Sequence, residues 1–225
     1  MAFPEIHVKD LYMSWSKQGR GKGRRGYHHG NLREALISAA LDLIADKGPA
    51  GFTFAEAARS AGVSPAAPYR HFRDRDALLA DVAQRGFEQF ADELERAWDD
   101  GRPEPISAFQ NVGRAYLAFA RTEPAYYAAM FESGVPPDIS PDLSQAGDRA
   151  FALLRRASEA VSALAPSDRR PPAAMMSLHI WSLSHGIASL FARGDSARRK
   201  LPMSPEDLLE AGVLIYLQGL GLIET

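Results

Sequence analysis

Between Thr53 and Phe72 two short apolar-periodic segments lie on either side of a single glycine, Gly62, and that spacing leaves few ways to fold. Phe52, Phe54, Ala57, Ala58 and Ala61 recur at helical spacing, which puts them on one face. Thr53 precedes Glu56 by three residues, a capping-box pattern in which each side chain satisfies an orphan amide. Gly62 supplies the left-handed residue that closes this helix, and Val63 faces inward. Ser64-Pro65 then predicts a third helix, as N-cap and first helical residue, carrying Tyr69 and Phe72 and stopping near Arg73. Upstream, Leu32, Leu36, Ala39, Ala40, Leu43 and Ile44 mark a longer helix, with Asn31 as N-cap and Gly48 as terminator. Two helices joined by about three or four residues have the spacing of a helix-turn-helix, whose second helix is held where it can enter a major groove. A generic helical hairpin is the competing reading.

Helical periodicity continues to the C-terminus. A long amphipathic helix is predicted from about Arg75 to Asp99, with Leu78, Leu79, Val82, Phe87, Phe90, Leu94 and Trp98 as its buried stripe and Gly86 as a point of bending. Further helices are expected over about 105–121, 124–133, 142–164, 172–193 and 205–222, with prolines at the boundaries. No alternating strand pattern of convincing length interrupts them. The predicted fold class is all-α: an N-terminal three-helix helix-turn-helix domain followed by a larger helical domain. Residues 1–26 are expected to form a flexible basic N-terminal arm, 27–75 the helix-turn-helix, and 76–225 the larger helical domain.

The chain is 225 residues long, 46% hydrophobic and free of cysteine, so a buried core is expected and disulfides or thiolate metal sites are excluded. With no long apolar run and no apolar signal core, the expectation is a soluble cytoplasmic protein with no membrane partner. Net charge is only −2, but it is unevenly distributed. From Lys17 to Arg85 there are 12 Lys and Arg against 7 Asp and Glu; from Gly86 onward the balance is 13 against 19. A basic front and an acidic back fit a DNA-facing segment on an acidic body, although two solvated surfaces would read the same way by charge alone.

Several runs together carry a family resemblance. They are Tyr27-His28-His29-Gly30-Asn31-Leu32, Ala45-Asp46-Lys47-Gly48, Phe52-Thr53-Phe54 with Ala57-Ala58, Ala61-Gly62-Val63-Ser64, Pro68-Tyr69-Arg70-His71-Phe72 and Asp76-Ala77-Leu78-Leu79. Over about 60 residues the chain resembles the tetracycline-repressor (TetR-type) family of bacterial regulators. Trp181-Ser182-Leu183-Ser184-His185-Gly186 is similar to the W-x-x-x-H-G signature of one C-terminal subgroup. The resemblance implies a homodimer that binds a palindromic operator in double-stranded DNA and is usually released by a small-molecule effector, with no cofactor and no metal.

The expected DNA contacts follow residue by residue. Arg24 and Arg25, with Arg20 and Lys22, suit phosphate or minor-groove contacts from the arm, next to Tyr27 and His28. Thr53 matches a family position that caps a helix and donates to phosphate, though capping alone would explain it. Ser64, Ala66 and Ala67 allow close approach at the start of the reading helix. Tyr69 and His71 match positions that grip the DNA backbone, with a core tyrosine as the alternative for Tyr69. Arg70 is the expected base reader, because a guanidinium grips a guanine edge with two hydrogen bonds. Arg75 stands where the family commonly has lysine and is expected at a phosphate. Pro68 removes an early hydrogen bond, which tightens or disturbs the first turn of that helix.

In the body, Phe90, Tyr116, Phe119, Tyr127, Met130, Phe131, Phe151, Met175 and His179 are the candidate lining of a site for a largely apolar effector. Such a stripe is more often plain core. His185 reads as a structural polar group hydrogen-bonded in the core. Leu183, Ile187, Leu190, Phe191, Leu209, Val213, Tyr216, Leu217 and Leu220 are the candidate dimer interface, joining two protomers as a four-helix bundle. Burial within one chain competes with that reading. Rival classes are a non-specific architectural DNA binder and a helical enzyme whose site is assembled only on folding; no nucleophile–base motif or phosphate-cradling loop supports the latter.

Overall fold

Proline and short polar caps set where most of the helices begin. A computed structural model describes residues 32–192 and 203–223, so Arg24, Arg25, Tyr27, His28 and the Asn31 cap lie outside the described residues. The α-helices are α1 (Leu32–Lys47), α2 (Phe54–Ser60), α3 (Arg75–Trp98), α4 (Pro105–Thr122), α5 (Pro124–Phe131), α6 (Pro141–Leu164), α7 (Ala173–Ala192) and α8 (Pro205–Gly219). Pro105, Pro124, Pro141 and Pro205 each open a helix, where a missing N–H leaves nothing unsatisfied. The Asp74, Glu104, Ser140 and Ser204 side chains accept from backbone amides in the first turns of α3, α4, α6 and α8, at 2.8 to 3.2 Å. No strand occurs among the described residues, and the protein is all-α, as the periodicity predicts.

Two apolar clusters fill the interior. The first gathers Leu36, Ile37, Ala40 and Ile44 of α1, Ala57 of α2, Phe52 and Phe72 around Leu78, Leu79 and Val82 of α3. The second gathers Phe90, Leu94 and Trp98 of α3 with α4, α6, α7 and α8. The long helix α3 therefore runs through both, and residues from Leu32 onward pack as one unit. Gly86, at the junction, does not interrupt α3, which is continuous across it. Its missing side chain is what the packing needs: a Cβ there would lie 2.8 Å from Met130 Sδ and 3.2 Å from Tyr126 Cβ.

One element departs from the sequence expectation. Ser64-Pro65 does not open an α-helix, and the segment after the turn is a single 3-10 turn, Ala67–Arg70. Ser64 does not cap with its side chain; its carbonyl accepts from Ala67 N instead. Pro68 has no N–H to donate, so the α-type ladder cannot start there, and the Pro68 carbonyl takes both the His71 and Phe72 amides at 2.9 and 3.0 Å. Pro68 itself is buried, so its ring packs where a helical residue would.

Candidate functional site

The first candidate site is the turn held over the α1–α2 core. Thr53 caps α2 through a complete capping box: its Oγ1 accepts from Glu56 N at 3.2 Å, and its own N–H donates to Glu56 Oε2 at 2.8 Å. Lys47 Nζ, 2.9 Å from Glu56 Oε1, ties the box to the end of α1. That ammonium, and then the Thr53 backbone and hydroxyl donors, hold the Glu56 carboxyl down at about 2. Gly62 takes φ 74° between α2 and the reading turn, a left-handed conformation that a side chain resists.

Beyond Gly62 the chain projects its polar residues outward. Ser64, Ala66, Tyr69, Arg70 and His71 are exposed and Ala67 is half-buried, while Phe72 anchors the turn from below. Tyr69 is 63% exposed, with its ring edge-on to Phe54 at 5.1 Å, so it is supported by the head without being a core tyrosine. Arg70 makes no hydrogen bond or ion pair among the described residues and presents a free guanidinium, whereas neighbouring Arg73 is paired with Asp74 at 2.8 Å. Arg59, exposed in the last turn of α2, is a further cation that the sequence reasoning passed over.

Arg75 is held inward. Its Nε donates to the Phe52 carbonyl at 2.9 Å and its Nη2 to the Pro49 carbonyl, and the guanidinium lies 5.0 Å from the Phe52 ring centre. These bonds clamp the α1–α2 loop onto the start of α3 and occupy part of its donor set, with Nη1 3.3 Å from Asp76 Oδ1. A second polar clamp joins α1 to α3. Asp81, nearly buried, accepts from Arg33 at 3.0 Å, and Arg85 grips Glu34 with two bonds of 2.7 and 2.5 Å.

The second candidate site is a cavity of about 570 Å³ in the body, walled by α3 to α7. That volume lies in the range of drug-sized ligand sites. Of the predicted lining, Phe90, Tyr116, Met130, Phe131 and Phe151 face it. Phe119, Tyr127, Met175 and His179 do not line it. Phe119 is fully buried against Phe90, with ring centres 5.0 Å apart, and Tyr127 is packed behind Phe131. Met175 is 49% exposed on the outside of α7, and His179 lies on that outer side with Nδ1 3.3 Å from the Tyr216 hydroxyl. Phe87, Phe109 and Trp181 complete the aromatic wall; Phe87 shares the α3 stripe with Phe90, which was the signal available for it.

Behind the cavity wall, and reaching it through Tyr116, lies a polar cluster. His185 Nδ1 stands 2.8 Å from the Tyr127 hydroxyl and 3.1 Å from the Tyr116 hydroxyl. Burial pushes the His185 pKa down, which favours the neutral ring. Burial first, then the neighbouring Tyr127, drives the Tyr116 hydroxyl far above its usual range, so it stays protonated; Trp181 pulls weakly the other way. The Tyr116 and Tyr127 hydroxyls also stand 3.5 Å apart, so the three groups form one closed cluster with Tyr116 at the cavity wall.

The candidate dimer surface also needs correction. Ile187, Leu209, Val213 and Leu217 are at most 3% exposed within one chain, so they are core. Leu209 packs into the space above Gly113, where a Cβ would sit 3.1 Å from its Cδ2. Leu183, Phe191, Tyr216 and Leu220 are half-buried and pack against the same core, and only Leu190, at 53%, is open. Ile215, at 70% exposed, was missed because four apolar neighbours hid which face of α8 points out.

A capped short helix, a left-handed glycine and an exposed polar turn on a filled core, backed by a hollow helical body, define a helix-turn-helix regulator with a companion helical domain. Residues 36–82 match the model of the bacterial regulatory proteins of the tetR family, and residues 109–215 match a tetracyclin repressor-like C-terminal domain. The chain belongs to this family. Among curated relatives, an HTH-type transcriptional regulator of Mycobacterium bovis is 29% identical over 126 residues, 56% of this chain and 54% of that protein. The chain thus spans about half the length of the curated relatives it matches. Among solved structures, a Rhodococcus protein of unknown function is 31% identical over 87% of this chain and 98% of its own, with a TM-score of 0.71. The TetR family transcriptional regulator PfmR of Thermus thermophilus shares the fold at a TM-score of 0.63 and 19% identity, over 84% of this chain and 99% of its own.

Proposed function

We propose that the protein is a sequence-specific DNA-binding transcriptional regulator, a ligand-responsive repressor that acts in the cytoplasm and binds a palindromic operator as a homodimer. The observation that carries this reading is the turn after Gly62, where Tyr69, Arg70 and His71 stand clear of solvent-excluding contacts on a rigid, filled head. Tyr69 and His71 position the head on the DNA backbone, and Arg70 reads a base edge. The family and the names of the relatives point to a regulator and away from an enzyme. No helix among the described residues is long and apolar enough to cross a membrane, which fits a cytoplasmic site of action.

The dimer reading rests on α7 and α8. Helix α7 has 20 residues and no charged one, yet part of its surface is open. Leu190 and Ile215 are exposed, and Gly186 and Gly219 have nothing within 4 Å of a Cβ position, so a second copy can approach closely there. Two-fold pairing through this face sets the separation of two heads and hence the half-site spacing. Effector response is supported by shared walls: Ala83, Ala129 and Leu143 line the cavity and also belong to the head cluster. The Trp181–His185–Gly186 run supports a narrower grouping within the family.

Footprinting on genomic fragments tests the reading: protection of one palindrome is expected, and uniform weak binding would refute it. With an operator in hand, Arg70→Ala should lose about 1–3 kcal/mol of discrimination between matched and mismatched sites. Tyr69→Ala should weaken binding to both about equally. Equal losses from the two variants on both sites would overturn the division of labour.

A further inference from the structure

We propose that the body cavity takes a lipophilic cation, an apolar molecule carrying a positively charged nitrogen or phosphorus centre, and rejects apolar anions. This rests on the reading of the cavity as an effector site and assigns the chemistry of its occupant. The lining contains no Lys or Arg, and its one ionisable group of either sign, apart from the Tyr116 phenol, is the carboxylate of Asp148. Asp148 is exposed on α6 at the rim and makes no ion pair or hydrogen bond with any described residue. Beside it Gly147 leaves the rim open, with nothing within 4 Å of where a Cβ would be.

The surroundings repeat the sign. From Thr122 to Asp148 the chain carries Glu123, Glu132, Asp138, Asp142 and Asp148 and no Lys or Arg at all. This stretch supplies α5, the following loop and the first turns of α6, and with them the cavity wall from Ala129 to Asp148. The cations that flank this stretch are already paired: Arg149 with Asp92 at 2.6 Å and Arg121 with Glu206 at 2.5 Å. Helix α7, on the other side, has no charged residue. A carboxylate or phosphate ligand would meet no Lys or Arg in the lining and would face the Asp148 carboxylate at the rim. A cation meets Asp148 at the rim and, further in, the aromatic side chains of Phe87, Phe90, Tyr116, Phe131, Phe151 and Trp181. Aromatic faces attract cations electrostatically, most strongly where water is excluded.

Tetraphenylphosphonium and tetraphenylborate test this, because they have nearly the same size and shape and opposite charge. Their affinities for the full-length protein are measured by calorimetry, with the neutral dye N-phenyl-1-naphthylamine as a third probe. The cation is expected to bind about 10-fold or more tightly than the anion, and Asp148→Asn to shrink that ratio by about 3-fold or more. The neutral dye should bind the parent and Asp148→Asn equally, which also reports that the variant is folded, and Gly147→Trp should block all three by plugging the rim. Equal binding of the two ions, preference for the anion, or a ratio unmoved in Asp148→Asn would overturn the charge assignment while leaving the cavity reading in place. Failure of all three probes to bind, or binding unaffected by Gly147→Trp, would overturn the cavity reading and this proposal with it.

Discussion

The head and the body of this protein are built from the same helix, α3, and packed to opposite ends. Around its N-terminal half, Leu36, Leu78, Leu79 and Val82 are wholly buried, small alanines fill the gaps, and two ionic clamps pin α1 to α3. Around its C-terminal half, large aromatic side chains line about 570 Å³ of space. Close packing resists deformation, whereas side chains around a void have room to repack. The contrast suits a stiff reader attached to a compliant sensor, and it locates where one must act on the other. That place is Gly86, where α3 passes from one cluster to the other and Met130 of the cavity wall fits against bare backbone.

The largest expected effect tests the packing contrast directly. Leu36→Ala removes a fully buried side chain from the head and should destabilise the protein by about 2–5 kcal/mol, read from urea unfolding. Leu154→Ala, on the cavity wall, enlarges an existing space instead of creating one, and should cost roughly 2 kcal/mol, the low end of the same range. Equal losses would break the comparison. Next in size, Gly86→Val forces branched carbons against Met130 and Tyr126 and should cost about 1–3 kcal/mol by overpacking. Its more telling readout is operator affinity with and without a bound probe: the difference should shrink, because the junction can no longer adjust. An unchanged difference would mean that coupling runs elsewhere.

The head was nearly all legible in the sequence and the body only in outline, for the same physical reason. Thr53, Glu56, Gly48 and Gly62 act through local backbone geometry, so their spacing alone predicts the capping box and both left-handed turns that the structure contains. Even there, Pro68 carried a warning of an irregular first turn, and the reading segment shortened to one 3-10 turn. The inward bonds of Arg75 were not legible because its partners, the Pro49 and Phe52 carbonyls, are more than 20 residues away and are backbone atoms with no sequence signature. In the body, periodicity places helices but does not say which of two apolar faces meets a void. Hence Phe90 and Tyr116 were placed at the cavity, while Met175 and His179 lie outside it, and Leu209 and Val213 of the supposed dimer face are core. In α8, within the apolar run from Ala211 to Leu217, the outward Ile215 differs from the inward Leu217 in nothing the sequence displays.

The smallest effects concern the caps, and they compare head with body once more. Thr53→Ala removes the acceptor for Glu56 N and should cost about 0.5–2 kcal/mol in urea unfolding. Glu56 and Glu104 both cap a helix and both have lowered pKa values, but their causes differ. Lys47 is the largest influence on Glu56, whereas the Ser107 side chain and amide hold down Glu104 with no cation beside it. A folded-state pKa below the unfolded value makes the ionised form stabilising above the unfolded pKa, and that contribution fades as pH falls through the folded pKa. For Glu56 the window runs from 4.5 down to about 2. Melting temperatures of the parent and of Glu56→Gln should therefore differ at pH 6 and converge as pH falls from 4.5 toward 2. Neither position is buried, so added salt should weaken the Glu56 difference, which depends on an ion pair, more than the corresponding Glu104→Gln difference. If the two respond alike to salt, the Lys47 tether adds nothing that a neutral cap does not, and the head owes its rigidity to packing alone.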